Sequence, residues 1–64
     1  MTPREALDEA IKRAGGIRAL SRLLGMAHQP IATWRIASVK RVLDIERLTG
    51  VSRHDLRPDI YPRE

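Results

Sequence analysis

Residues 20–36, L-S-R-L-L-G-M-A-H-Q-P-I-A-T-W-R-I, constrain this chain more than any other stretch. Ser21 precedes Gly25 by four residues, while Ile31 follows it by six and Trp34 by nine. Two short helices joined at Gly25 give each of these residues a steric task. Ser21 is small where the helices touch. Gly25 adopts a positive φ at the turn without the penalty a Cβ would bring. Ile31 and Trp34, three apart, share the face of the second helix that meets the core. The spacing predicts a helix-turn-helix over residues 17–36, with the other face of its second helix left free.

The distribution of charge says more than its sum of +4. Residues 10–43 contain no acidic side chain, yet they hold Lys12, Arg13, Arg18, Arg22, Arg35, Lys40 and Arg41. The acids lie to either side, at Glu5, Asp8, Glu9, Asp44, Glu46, Asp55, Asp59 and Glu64. A basic block centred on such a motif is the electrostatic footprint of a polyanionic partner. A solvated, arginine-rich surface has the same composition; coincidence with the motif favours the polyanion.

At 64 residues the chain holds one domain, residues 1–64, with a small core. It has no cysteine, hence no disulfide and no thiolate metal site, as expected in a reducing cytoplasm. No apolar run nears the roughly 20 residues that cross a bilayer. The opening Met-Thr-Pro-Arg-Glu-Ala-Leu-Asp lacks the apolar centre of a signal peptide. The expected location is the cytoplasm, at the nucleoid when bound to DNA, with no membrane partner.

The remaining elements follow from periodicity and caps. Thr2, Pro3 and Glu5 make a capping box with proline at the first helical position. Ala6, Leu7, Ala10, Ile11 and Ala14 form an apolar stripe, and Gly15-Gly16 stops this helix. The next helix, 17–24, turns Ile17, Leu20, Leu23 and Leu24 inward and Arg18 and Arg22 outward. A third, near 28–36, carries Pro30 in its first turn, where backbone N–H groups have no intrahelical acceptor. Ser38 caps a fourth over 39–49, whose apolar face is Val39, Val42, Leu43, Ile45 and Leu48, and Gly50 ends it. Ser52-Arg53-His54-Asp55 resembles a second capping box that opens one helical turn to Leu56. An extended tail over 57–64 folds Ile60 and Tyr61 back on the core. No segment alternates as a strand does. The expected architecture is all-α: four helices plus a short C-terminal helical turn.

Four segments carry a resemblance to a known family: Ala14-Gly15-Gly16 with the helix after it, Gly25 through Trp34, Arg41 through Gly50, and Ser52-Arg53-His54-Asp55-Leu56-Arg57-Pro58-Asp59-Ile60-Tyr61-Pro62. A generic helix-turn-helix does not require the last of these. Together they resemble the YdaS-type antitoxins, small Cro-like regulators of bacteria and their prophages. The resemblance implies a λ-repressor-like domain that binds DNA and regulates transcription, often encoded beside a partner that it counteracts. The chain departs from the family's pattern in three places. It has Ala27-His28-Gln29 where members often have Thr-Gln-Gln, Pro30 where they usually have alanine, and a shorter loop after Trp34. Alanine is a poor cap, and the shorter loop removes backbone that reaches phosphates.

In a second helix of this kind, Ser21, Gly25, Ile31 and Trp34 form the structural centre of the motif, Met26 points inward, and His28, Gln29, Ala32, Thr33 and Arg35 point outward. Gln29 is the first candidate for base readout, because its amide matches N6 and N7 of adenine. Thr33 offers a hydroxyl or a methyl, His28 a ring nitrogen, and Ala32 room for a thymine methyl. Arg22, Arg18, Arg35 and Lys40 are the candidates for phosphate contacts, which position a protein without specifying sequence. Arg53 and His54 are expected in structural roles, as caps or paired with Asp55 or Asp59.

Double-stranded DNA is thus the expected partner, read by a repressor-like or antitoxin-like regulator. So small a domain reaches useful affinity as a dimer on a two-fold site or by cooperative binding. The alternative is a protein-interaction module of the same fold that neutralises or assists a partner protein. Single-stranded RNA fits poorly, with one tryptophan, one tyrosine and no phenylalanine to stack on bases. Ser52, His54 and Asp55 have the residue types of a hydrolase triad but are crowded into one turn, so no enzyme is expected. His28 and His54 lack a ligand cluster, and Gly15-Gly16 is no phosphate loop, so neither metal nor cofactor is expected.

Overall fold

The first helix, α1 (Pro3–Ala14), begins where the sequence places it. Thr2 accepts the amide of Glu5, and the Glu5 carboxylate accepts the amide of Thr2 at 2.9 Å, closing the capping box. In the computed structural model, which describes residues 1–63, four more helices follow: α2 (Ile17–Leu24), α3 (His28–Thr33), α4 (Val42–Thr49) and α5 (Arg53–Leu56). Among the described residues there is no strand, and no helix is long and apolar enough to cross a membrane.

Ala6, Leu7 and Ala10 of α1, Ala37, Val42 and Ile45 of α4, Val51, and Leu56 of α5 form the main buried cluster, Ala37 and Val51 lying just outside the helices. Ile11, Leu24, Trp34 and Tyr61 pack on its margin. Leu20, Ser21 and Ile31, also buried, lie apart from it on α2 and α3. The two helices α1 and α2 join at Gly15-Gly16, and α2 ends on Gly25, whose φ of +69° is left-handed. The Gly25 and Met26 amides bond back to the carbonyls of Arg22 and Ser21, satisfying the end of α2. Among the helices, α3 packs on α2 alone.

Several boundaries differ from the sequence reading. The third helix ends at Thr33, not Ile36. Trp34 is extended (φ −68°, ψ 132°), its amide closes a tight turn on Ile31, and its ring goes to the main cluster. Burying the indole takes the chain out of helical geometry, so Arg35 and Ile36 are not helical. The fourth helix starts at Val42 rather than Val39. Ser38 does not cap it with its side chain; its carbonyl accepts the Arg41 amide in a turn. That turn lets Ala37 and Val42 both enter the core and leaves Val39 outside.

Leu23, Val39, Leu43 and Leu48, expected inside, are exposed. On α2 the inner stripe is Ile17, Leu20, Ser21 and Leu24, at helical spacing, and Leu23 falls on its flank. At α5 Ser52 accepts the His54 amide, but the acid completing the cap is Glu46 of α4, which accepts the Arg53 amide at 2.7 Å. The tail turns at residues 58–60 instead of running extended. Tyr61 reaches the core, whereas Ile60 is exposed. Glu64, the end of the expected tail, lies outside the described residues.

Candidate nucleic-acid interface

Only one side chain of α3 is buried. Ile31 enters the protein, His28 is half-buried, and Gln29, Pro30, Ala32 and Thr33 are exposed. The helix starts without a side-chain cap at Ala27, as the sequence predicts. Pro30 sits in the first turn, where its missing N–H costs no helical bond. Gln29, Ala32 and Thr33 thus reach solvent from one short, fixed helix. Thr33 differs from its expected role in one respect: its hydroxyl donates to the Pro30 carbonyl at 2.7 Å. Its proton is committed to the helix, which leaves its lone pairs and methyl as what it can offer another molecule.

The four residues of the motif's structural centre are placed as follows. Ser21 is buried and its hydroxyl donates to the Arg18 carbonyl at 2.6 Å. Gly25 makes the turn and Ile31 anchors α3. Trp34 packs against the core from extended backbone rather than from the helix. Met26 is half-buried.

The ion pairs sort the cations into two sets. Arg4, Arg13, Arg47, Arg53, Arg57 and Arg63 pair with Asp8, Glu9, Asp44, Glu46, Asp59 and Asp55 in that order. Among the described residues Lys12, Arg18, Arg22, Arg35, Lys40 and Arg41 have no carboxylate partner. All six lie in the acid-free part of the chain, and all but half-buried Arg41 are exposed. All four candidate phosphate contacts, Arg18, Arg22, Arg35 and Lys40, belong to this set. Lys12 and Arg41 belong to it too, although the sequence reading assigns them no role.

Arg53 and His54 do act structurally, with other partners than expected. Arg53 pairs with Glu46 and lies 5.7 Å over the Tyr61 ring. The His54 ring donates from Nδ1 to the Tyr61 carbonyl at 2.7 Å. Two further arginines, invisible as site residues in the sequence, secure the backbone after α3. Arg4 donates to the Trp34 carbonyl at 2.8 Å, and Arg57 donates to the Ala37 carbonyl at 2.9 Å. Each has a local carboxylate partner, Asp8 for Arg4 and Asp59 for Arg57, but neither pairing points to the distant carbonyl.

Hydrogen bonds from the Arg57 guanidinium hold the Asp59 carboxyl below the usual carboxylate range, and Asp59 in turn raises Arg57. Bonds from Thr2, the backbone amide first, lower Glu5. A carboxyl lowered in the folded state stabilises it above the unfolded pKa, and this stabilisation disappears as pH falls through the folded value. Stability is therefore expected to stay level down to about pH 5 and to fall across the carboxylate range below it. In urea melts between these limits, Asp59→Asn is expected to flatten part of that fall; a slope identical to wild type would refute the role of Asp59.

Comparison with curated proteins and with solved structures finds no match. A family model described as bacterial toxin YdaS does match, over residues 7–64. The match spans the free face of α3, the acid-free stretch and the C-terminal turn, and on that evidence the chain belongs to the YdaS family.

Proposed function

We propose that this protein is a sequence-specific, double-stranded-DNA-binding regulator of transcription, a λ-repressor-like helix-turn-helix domain that lays α3 in the major groove. The observation that carries the reading is the separation of charges. The cations outside residues 12–41 are all paired with acids, whereas six within that stretch, on either side of α3 in sequence, are left without a carboxylate partner among the described residues. Free cations cost self-repulsion, and phosphates relieve it. In this arrangement Gln29 reads a base, Ala32, the Thr33 methyl and His28 line the same groove, and Arg18, Arg22, Arg35 and Lys40 hold phosphates. The family description names a toxin, where the sequence resemblance implies an antitoxin. A small DNA-binding regulator serves in either sense, according to the gene it controls.

The direct test is a gel shift on DNA from upstream of the protein's own gene, with a scrambled duplex beside it, at about 50 and 200 mM salt. Four phosphate contacts predict a loss of roughly a hundredfold between these conditions. Bands on the native duplex that persist at the higher salt support the reading. A smear that vanishes from both duplexes alike refutes it and favours the protein-interaction module. Two substitutions separate the roles. Gln29→Ala is expected to cut discrimination between sites by about 1–3 kcal/mol, while Arg22→Ala weakens all duplexes equally and lowers the salt slope by about 1. Equal effects of both on every duplex would remove Gln29 from readout.

A further inference from the structure

The C-terminal signature, Ser52 to Pro62, is the most distinctive part of the sequence, and a helix-turn-helix does not need it. In the structure it delivers one side chain to a distant carbonyl. Arg57 Nη1 donates to Ala37 at 2.9 Å, across 20 positions of sequence. The other edge of the same guanidinium meets Asp59 with two prongs, Nε at 3.0 Å and Nη2 at 2.7 Å. The amides of Ile60 and Tyr61 bond to the Arg57 carbonyl, so the turn that follows Pro58 brings Asp59 back to face Arg57. The Arg57 side chain is only 17% exposed, and its charge is already matched by Asp59, which makes it a poor phosphate ligand.

What Arg57 holds is the segment between α3 and α4. Residues 34–41 form no helix; their one internal backbone bond is the turn from the Arg41 amide to the Ser38 carbonyl. They carry Arg35, Lys40 and Arg41, half of the cations without a carboxylate partner. The segment is tied at two carbonyls, Trp34 by Arg4 and Ala37 by Arg57. We propose that residues 34–41 are a preorganised phosphate-binding arm beside α3, and that Arg57, oriented by Asp59, is the positioning residue that holds it in place. This rests on the DNA-binding reading above. A free loop would give up its conformational freedom on binding, and the clamp places that cost in folding instead. The planar fork of arginine presents N–H groups in fixed directions to the carbonyl and to both carboxylate oxygens, whereas lysine offers one nitrogen on a flexible stem.

The test compares wild type, Arg57→Gln, Arg57→Lys and Asp59→Asn, with Arg53→Gln as a control outside the clamp. Backbone 15N relaxation on the free protein reads the arm without DNA. In both Arg57 variants the order parameters of residues 35–40 are expected to fall from about 0.85 to below about 0.6, while α1 and α4 stay rigid. On the native upstream duplex the same variants are expected to bind at least tenfold more weakly. Their salt slope should be lower by about 2, one unit for each phosphate that the arm no longer neutralises. Arg53→Gln keeps both values. If Arg57→Gln does not fold, Asp59→Asn is read instead, because it leaves the guanidinium but frees its orientation, and the same changes are expected at smaller amplitude. Order parameters unchanged in the arm, a drop shared equally by α1 and α4, or recovery by Arg57→Lys would each overturn the clamp. A wild-type protein that does not discriminate the native duplex would overturn the arm's phosphate role together with the reading it rests on, while the relaxation data still decide the clamp.

Discussion

Ile31→Ala is expected to release α3 while leaving the rest of the domain folded. Truncating a buried isoleucine to alanine costs about 2–5 kcal/mol, through forfeited transfer energy and the cavity left behind. In α3 that cost has little to offset it. Ile31 is the only buried residue of the helix, no side chain caps its start, and among the helices it packs on α2 alone. The main cluster contains neither Ile31 nor its buried neighbours on α2. Local opening is the expected result, because elements with little buried surface open below the global unfolding energy. Hydrogen exchange should show protection disappearing first at the α3 amides and retained in α1 and α4. On the proposed DNA-binding reading, affinity for the native duplex should fall by more than tenfold, since the exposed face of α3 would no longer be fixed. Equal loss of protection throughout the chain would show instead that α3 belongs to the cooperative core.

Leu56→Ala has the opposite signature. Leu56 is fully buried in the main cluster, on a helix of four residues that packs against both α1 and α4. The cavity would open where three elements meet, and a one-turn helix cannot collapse into it without breaking its cap. The cost is again about 2–5 kcal/mol. A domain of this size has roughly 3–10 kcal/mol of total stability. A melt followed by circular dichroism should show the midpoint lowered by roughly 10–30 °C, with all helices melting together. A shift below about 5 °C would mean that α5 is an appendage rather than part of the core.

Ile31 and Leu56 are alike in one respect, each being the buried apolar residue of a short helix. Their difference comes from what surrounds them, and the same division runs through the whole chain. The α1 capping box, the glycine stop at Gly25 and the first turn around Pro30 were legible because local backbone chemistry governs them. A proline without an N–H, or a glycine at positive φ, acts within a few residues of itself. The acid-free stretch was legible as well, since charge is simply counted along the chain.

The sequence left out whatever depends on the meeting of distant segments. It overextended α3 through Trp34, because periodicity cannot tell a tryptophan packed from a helix from one packed from extended backbone. It began α4 too early, because Ser38 is as good a cap by composition as it is a poor one in this structure, where Ala37 must be buried. It turned Leu23 inward, although Ser21 occupies that stripe. The glutamate that caps α5 comes from α4, and the arginines that hold Trp34 and Ala37 come from opposite ends of the chain. By itself, the sequence determined the helical class, the turn at Gly25, the free face of α3 and the basic stretch around it, all set by local sterics and by charge. The tertiary structure alone decided the pairing of Arg53 with Glu46 and of Arg63 with Asp55, where the third and fourth helices stop and start, and what fixes the segment between them. Those outcomes are settled by competition among distant groups for the same buried volume and the same carbonyl oxygens.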